Sequence, residues 1–376
     1  MSFADLETIT FDAKHLPEQA QWASGVTVRL PTQLVRGLAD GPAALLNPDV
    51  GNLARSAARD LRLRAAFTNR PPASARMPVN YHVLPGAARR VMGRVIGAVQ
   101  HARQASWSRF PGWPIDLSAD LAADLAGESG ITFRRTPVLL SHDIDSPEGL
   151  KNLVDMFLPI EEAVGARSAN YVVPCAWPID DALLGEVQGR GHEIGVHGYN
   201  HANQTPFADQ DERRRRLAAG RAFGDRYGAT GYRAPSLLRT PALLADLAPL
   251  YAYDSSIPTS GGAFPVPNNG CASARPWRLG DLWEIPVSMP RDGSLRFLGY
   301  SPERIGDFWR NTAVTIARSG GIISLLTHCE ARFSGNGAML AAYRSFVEWV
   351  AKDSRFEFVL MRDLVRQIEA SGADSN

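Results

Sequence analysis

The pattern of apolar and polar positions divides the chain near residue 130. Beyond that point short apolar runs recur, separated by stretches with helical periodicity. Val138-Leu139-Leu140, Tyr171-Val172-Val173, Ile194-Gly195-Val196, Leu282-Trp283-Glu284-Ile285 and Ile322-Ile323-Ser324-Leu325-Leu326 read as buried strands. Gly231-Tyr232, Tyr251-Ala252-Tyr253 and Phe356-Glu357-Phe358-Val359 are fainter examples. Ser146-Pro147, Thr205-Pro206 and Thr240-Pro241 each set a capping hydroxyl before a proline suited to a first helical turn. Amphipathic helices are expected over Ile305–Arg318 and Met339–Val350, the second with Leu340, Tyr343, Phe346 and Val350 on one stripe. About eight strands with helices between them predict an α/β fold, a distorted (β/α) barrel. A doubly wound open sheet is the other arrangement this count permits.

Residues 1–130 follow no such alternation. Prolines interrupt them at Pro71-Pro72, Pro78, Pro85, Pro111 and Pro114, and one amphipathic stretch, Ala87–Arg103, stands out. They are expected to form an N-terminal extension or small helical domain packed on a catalytic barrel of residues 131–376. Pro258–Trp277 is rich in Gly, Pro, Asn and Ser without periodicity, and an aperiodic loop of that length is usually functional.

Composition adds bounds. The chain has 376 residues, 45% of them hydrophobic, with 40 basic and 39 acidic side chains. That balance is ordinary for a soluble protein and gives no basis for a nucleic-acid partner. Three widely spaced cysteines, Cys175, Cys271 and Cys329, argue against a disulfide framework. With no secretory pattern and no apolar run near the ~20 residues of a membrane helix, the expected location is the cytoplasm. The charge is unevenly spread. Residues 61–115 hold nine Arg (Arg62, Arg64, Arg70, Arg76, Arg89, Arg90, Arg94, Arg103, Arg109) and no Asp, Glu or Lys. Taking those nine from the 40 basic residues leaves 31 against 39 acidic. Three readings are open: recognition of an anionic part of a substrate, peripheral attachment of Ala87–Arg103 to an anionic membrane, or a solvated, compositionally biased face.

The ends of the expected strands carry the chemistry. They lead into Asp143-Ile144-Asp145, into His197-Gly198-Tyr199-Asn200-His201, into Arg233-Ala234-Pro235, and to Asp254 and His328. In barrels such ends converge on one face. His-x-x-x-His places two imidazoles about one helical turn apart, and a carboxylate as third ligand leaves room for water on a catalytic metal. Each residue also has a plainer reading: Asp145 as a helix cap, Arg233 as a salt-bridge partner, Asp254 as a turn residue, His328 as an interior histidine. Other residues are set aside. His192 to His197 has one residue too many for a zincin motif, His142 and His192 read as structural, and Arg213–Arg216 as a solvated face.

With these motifs in order, the chain over about residues 136–370 resembles the polysaccharide-deacetylase (NodB-homology) family of carbohydrate esterases. Asp143-Ile144-Asp145 is similar to its first motif, His197 to His201 to the second, and Arg233-Ala234-Pro235 to the third. Leu282–Pro286 and Leu325–His328 resemble the fourth and fifth. The resemblance implies that Asp145, His197 and His201 bind Zn2+ or another divalent transition metal. It implies Asp143 as general base, Arg233 orienting it, His328 as general acid, and the Ser236 backbone N–H helping to hold the oxyanion. Two departures stand out. Gly198 replaces the Ser or Thr of many members, as in the allantoinase-like branch. The fourth motif's Asp, which supports the acidic His, has no clean match, and Asp254 is the candidate.

The expected reaction is hydrolysis of an N-acetyl or N-formyl group from a sugar or glycan precursor, nucleotide- or lipid-linked if the location is cytoplasmic. The rival readings are an allantoinase-like hydrolase of a small cyclic amide, an O-acyl esterase, and a glycan-binding module with a vestigial site. The sequence does not indicate an oligomeric state.

Overall fold

The computed structural model describes residues 131–260 and 270–372 continuously, and before them residues 18–21, 27–30 and parts of 55–128. Two short hairpins come first: β1 (Glu18–Gln21) with β2 (Thr27–Leu30), and β3 (Pro111–Gly112) with β4 (Ile115–Asp116). Helices α1 (Gly86–Arg103) and α2 (Ser118–Leu125) lie in the same region. The main sheet runs β5 (Thr136–Ile144), β6 (Ser168–Val172), β7 (Glu193–Val196), β8 (Gly231–Tyr232), β9 (Tyr253–Asp254), β10 (Trp277–Leu279), β11 (Leu282–Glu284), β12 (Ile323–His328) and β13 (Phe356–Phe358). Its spatial order is β10-β11-β9-β8-β7-β6-β5-β12, with β13 on the opening residues of β5. Every pairing is parallel except β10 with β11. Each sequence-predicted strand is present. Strand β10 was not anticipated, because three residues of mixed character carry no period.

The sheet curls until its ends nearly meet, so the open-sheet alternative falls. The seam is closed without a continuous ladder. Met289 N donates to Ser324 O at 3.1 Å. Ser288 Oγ accepts from Ser324 N at 2.8 Å and donates to Ile322 O at 2.6 Å. A side-chain hydroxyl does there what a neighbouring strand's backbone would otherwise do, which distorts the barrel.

Strand β5 is buried on both faces after its first residue, as expected of a parallel core strand. Alternation sorts its side chains: Leu140, His142 and Ile144 face the helices, whereas Leu139, Ser141 and Asp143 face the interior. Interior residues Leu139, Tyr171, Tyr253 and Trp283 pack against Met361, Leu364, Val365 and Ile368 of α11 (Met361–Ala370). Leu139 precedes Asp143 on its strand, so α11 plugs the amino-terminal end of the barrel and leaves the carboxyl-terminal end for the site.

The outer helices are α3 (Pro147–Asn152), α4 (Leu158–Glu162), α5 (Asp181–Gly189), α6 (Gln210–Arg226), α7 (Pro241–Leu247), α8 (Asp292–Phe297), α9 (Pro302–Arg318) and α10 (Gly337–Lys352). Ser146 and Thr240 cap α3 and α7 through Gly149 N and Leu243 N. Thr205-Pro206 opens only a 3-10 turn, because the cap of α6 is Asp209, which accepts from Glu212 N. The Arg213–Arg216 run is not wholly solvated: Arg213 is buried, and its Nε meets Asp246 Oδ2 at 2.7 Å. No helix among the described residues is long and apolar enough to cross a membrane.

The described residues before 131 share the main core. Ala58, Leu61, Phe110, Ile115 and Leu117 belong to the cluster that also holds Val138 and Leu140. Arg239, fully buried, donates to Ala66 O, and Asp120 accepts from Ser273 Oγ and Ala274 N. Helix α1 touches the region after α8 through His101 Nδ1 and Leu298 O, 2.8 Å apart. The side chains of Arg64, Arg76, Arg89, Arg90, Arg94 and Arg109 lie outside the described residues, so the reading of the Arg-rich segment rests on sequence alone.

Candidate metal and catalytic centre

Period-two alternation puts Asp143 on the interior face of β5, and the chain delivers Asp145 to the same side just beyond the strand. Across the site, His197 follows β7 and His201 lies in the loop after it. One donor atom from each of Asp145, His197 and His201 falls within 4.8 Å of the others. The two histidines are not a helical turn apart. The chain turns there through left-handed Gly198 and His201, with φ of 67° and 58°, and brings the rings to 5.3 Å between centroids. Gly198 is favoured there: a Cβ on it would sit 2.4 Å from Pro235 Cδ unless the chain shifted. The Ser or Thr of related motifs has no room against this proline.

The donor set fits a divalent cation. Asp145 Oδ1 and His197 Nε2 are buried and have no hydrogen-bond partner, a costly state that a cation between them would relieve. His197 Nδ1 lies 3.0 Å from Arg233 O. That carbonyl can only accept, so the proton belongs on Nδ1 and Nε2 presents its lone pair. Burial opposes charge on Asp145, but His201, His197, His328 and Arg332 outweigh it and hold the carboxyl well below the usual range. Burial likewise keeps the His197 imidazolium disfavoured. A carboxylate and a neutral imidazole are the protonation states a metal ligand requires. Asp145 is not the cap of α3, since Ser146 fills that role.

Asp143 and His328 are register partners on β5 and β12. Arg233 Nη1 donates to Asp143 Oδ1 and to Ser141 Oγ, both at 3.0 Å. Its Nε and Nη2 go to Ser255 O and Ser255 Oγ, and its guanidinium lies 4.0 Å from the Tyr171 ring centre. Arg233 is thereby fixed, and it holds one oxygen of Asp143 while Oδ2 faces His197 Nε2 at 3.5 Å. Ser236 sits in a tight turn in which it and Leu237 both take positive φ, 53° and 55°. Such strain recurs where a backbone group is aimed at a ligand.

The partner of His328 is Asp292, not Asp254. Asp292 Oδ1 lies 2.8 Å from His328 Nδ1, and its Oδ2 accepts from His328 N at 2.9 Å and Ser334 Oγ at 2.7 Å. Burial would lower the His328 pKa, but Asp292 overrides it and raises the imidazole to about 9. Asp254 instead accepts from Ser256 N and Oγ and shares a buried carboxyl pair with Glu284. Burial holds both of those carboxyls above the ordinary range. The signal for Asp292 was its place as the first acidic residue after the fourth motif; Asp254 precedes that motif. Sequence reasoning also missed Glu330, whose Oε1 accepts from Asp145 N at 3.0 Å and Ser146 Oγ at 2.9 Å. Burial and the adjacent Asp145 push Glu330 up to about 7.

His142 and His192 are structural, as expected. His142 spans Thr327 Oγ1 and Glu161 Oε1 at 2.8 and 2.7 Å, and His192 Nδ1 accepts from Ser168 N at 3.0 Å. The three cysteines are free. Beside the centre lies a cavity of about 50 Å³ whose lining includes Leu237, Arg291, Trp107 and Trp113. The amino-terminal end of the Pro258–Trp277 loop contributes Pro258, Thr259 and Ser260 to it.

No protein-family model matches the chain, and no curated protein matches it by sequence. Solved structures do. One is a protein from Mycobacterium smegmatis described as a polysaccharide deacetylase, 21% identical, with a TM-score of 0.51 over 65% of this chain and 94% of that one. Another is the PuuE allantoinase, 15% identical, with a TM-score of 0.53 over 69% of this chain and 98% of that one. At such identities the likeness concerns the backbone. The curled parallel sheet, its helices and its open carboxyl-terminal face are the polysaccharide-deacetylase fold.

Proposed function

We propose that this chain is a metal-dependent hydrolase that removes an N-acyl group, acetyl or formyl, from a sugar or glycan precursor. The observation that carries the reading is the opposed pair of proton-handling groups around the unsatisfied Asp145 and His197 atoms. On one side Asp143 is gripped at one oxygen by Arg233 and open at the other. On the other side His328, raised to about 9 against Asp292, is protonated at neutral pH. Hydrolysis of an amide needs both: a base for the attacking water and an acid for a poor leaving amine.

A divalent cation on Asp145, His197 and His201 would supply Lewis acidity to the carbonyl and ease deprotonation of water. Asp143 Oδ2 takes the water proton. The Ser236 N–H donates to the oxygen of the tetrahedral intermediate as its charge grows. His328 Nε2 gives its proton to the departing nitrogen while Asp292 keeps Nδ1 paired. Arg233 and Asp292 are positioning residues that act through Asp143 and His328.

A second reading, hydrolysis of a small cyclic amide, draws support from the fold likeness to an allantoinase and from Gly198. Metal content by elemental analysis, followed by acetate and formate release from N-acylated amino sugars and ring opening of ureides, separates the two. Asp143→Asn should keep its metal yet lose activity by about 10²–10⁴-fold, the usual contribution of a general base. Full metal occupancy with no hydrolysis of any acylated sugar or ureide would remove the enzyme reading.

A further inference from the structure

The loop after β12 carries a cation at the mouth of the centre, beside Asp145, that takes no part in the proposed proton transfers. Arg332 Nη2 lies 3.6 Å from Asp145 Oδ2, on a side chain that is 49% exposed. That separation is longer than a hydrogen bond, and the guanidinium donates none to any described residue. Arg233 contrasts with it, being buried and bonded to Asp143, Ser141 and Ser255. Arg332 faces solvent with its planar set of donors available.

Its position is nonetheless fixed. The Arg332 guanidinium lies 4.6 Å from the Phe333 ring centre, and that ring is 4.5 Å from His328. The loop around it is tied down at several points. Glu330 Oε1 accepts from Asp145 N, Ala331 N donates to Glu148 Oε1 at 3.2 Å, and Ser334 Oγ donates to Asp292. Asn336 Nδ2 donates to Phe333 O at 2.7 Å. A long, entropically expensive side chain is thus presented from a rigid base beside both the metal ligand and the general acid.

The charges around it point the same way. Arg233, Arg332 and protonated His328 face Asp143, Asp145 and Asp292, and Glu330 adds one more carboxyl beside Asp145. A divalent cation then leaves the mouth with surplus positive charge, and Arg332 is the member of the set most open to solvent. An arginine fork next to a cation matches a carboxylate or phosphate, which it binds through paired N–H donors.

We propose that Arg332 recognises an anionic group, a carboxylate or phosphate, carried by the substrate close to its acyl amide. The proposal rests on the hydrolase reading and narrows its substrate class to acylated amino sugars that bear such a group.

Equilibrium binding to the metal-loaded protein tests it with three probes: N-acetylglucosamine, N-acetylglucosamine 6-phosphate and N-acetylmuramic acid, which carries a carboxylate. At least one anionic probe should bind tighter than the neutral sugar by about tenfold or more, and the better one identifies the group. Arg332→Ala should erase that preference, and Arg332→Lys should restore part of it. The neutral sugar should bind all three proteins alike, and metal content should stay constant. Absence of an anion preference, or a preference that survives Arg332→Ala, overturns the proposal. Loss of metal in Arg332→Ala also overturns it, because Arg332 would then act through Asp145. Acetate release is scored separately: a preference lost in Arg332→Ala without acetate release upholds the anion site and sinks the reaction.

Discussion

Asp292→Asn removes a charge while keeping the shape of the side chain. The carboxylate is fully buried and contacts His328 Nδ1, His328 N, Ser334 Oγ and Gly293 N at 2.6–2.9 Å. An amide of the same shape keeps its acceptor oxygen but turns donors toward at least one of these N–H or O–H groups. The larger consequence falls on His328. Burial pulls its pKa down, and Asp292, with smaller help from Asp145 and Asp143, lifts it from 6.5 to about 9. Without the Asp292 charge the desolvation is opposed only by the smaller pulls of Asp145 and Asp143, so the value should fall toward the ordinary 6.5. A shift of about 2.5 units is worth about 3 kcal/mol at 1.36 kcal/mol per unit. Screening discounts this little, because the His328 side chain is only 12% exposed.

Imidazole NMR titration of the metal-free protein should find His328 near 9 in the wild type and at least two units lower in Asp292→Asn. In the active enzyme the alkaline limb of the kcat/KM profile should move down with it. At pH 8 that amounts to roughly a thirtyfold loss of the protonated acid. Stability carries the same sign. The folded pKa is raised, so the stabilisation from the pair is full below about 6.5 and is lost as pH rises through about 9. The wild type should therefore lose stability across that window while Asp292→Asn does not. A His328 titration that moves by less than half a unit would refute this account of the pair.

The other expectations concern separate parts of the site. His197→Ala and His201→Ala should each lose the metal, which elemental analysis after dialysis will read directly; full occupancy in both would remove the ligand assignment. His328→Ala should slow hydrolysis of an amide more than that of an activated ester of the same acid, since only the amine needs protonation to leave. Equal losses on the two substrates would leave His328 a structural role. Gly198→Ser forces a Cβ into Pro235 at a left-handed position and should cost about 1–3 kcal/mol in thermal or denaturant unfolding. An unchanged melting temperature would show that the Gly198–Pro235 contact relaxes easily.

The fold was legible because its strands are buried on both faces and therefore read as uninterrupted apolar runs. Gly231-Tyr232 and Tyr251-Ala252-Tyr253 were fainter, and the strands there are only two residues long, Gly231–Tyr232 and Tyr253–Asp254. Elements fixed by other means were not legible. Strand β10 depends on its hairpin with β11, and the seam depends on one hydroxyl, Ser288. Thr205-Pro206 has the composition of a helix start, but a 3-10 turn and Ala208 intervene before Asp209 caps α6. Arg213 reads as solvated until Asp246, on α7, is placed beside it.

The same distinction runs through the site. Asp143, Asp145, His197, Arg233 and His328 stand on or just beyond strand ends, where alternation and barrel geometry determine which way a side chain points. Asp292, Glu330 and Arg332 stand on a short helix or a loop, and their partners are 184 to 187 positions away or on a different strand. Asp292 meets His328 across 36 residues, and Glu330 meets Asp145 across 185. Loop residues of this kind raise the acidic His328, tie the Asp145 loop to the end of β12, and place a cation at the mouth. In the proposed reaction the strand-end residues handle the metal and the protons. On that reading the choice of acylated substrate falls to the loops, and the outward-facing Arg332 is where it is most exposed to experiment.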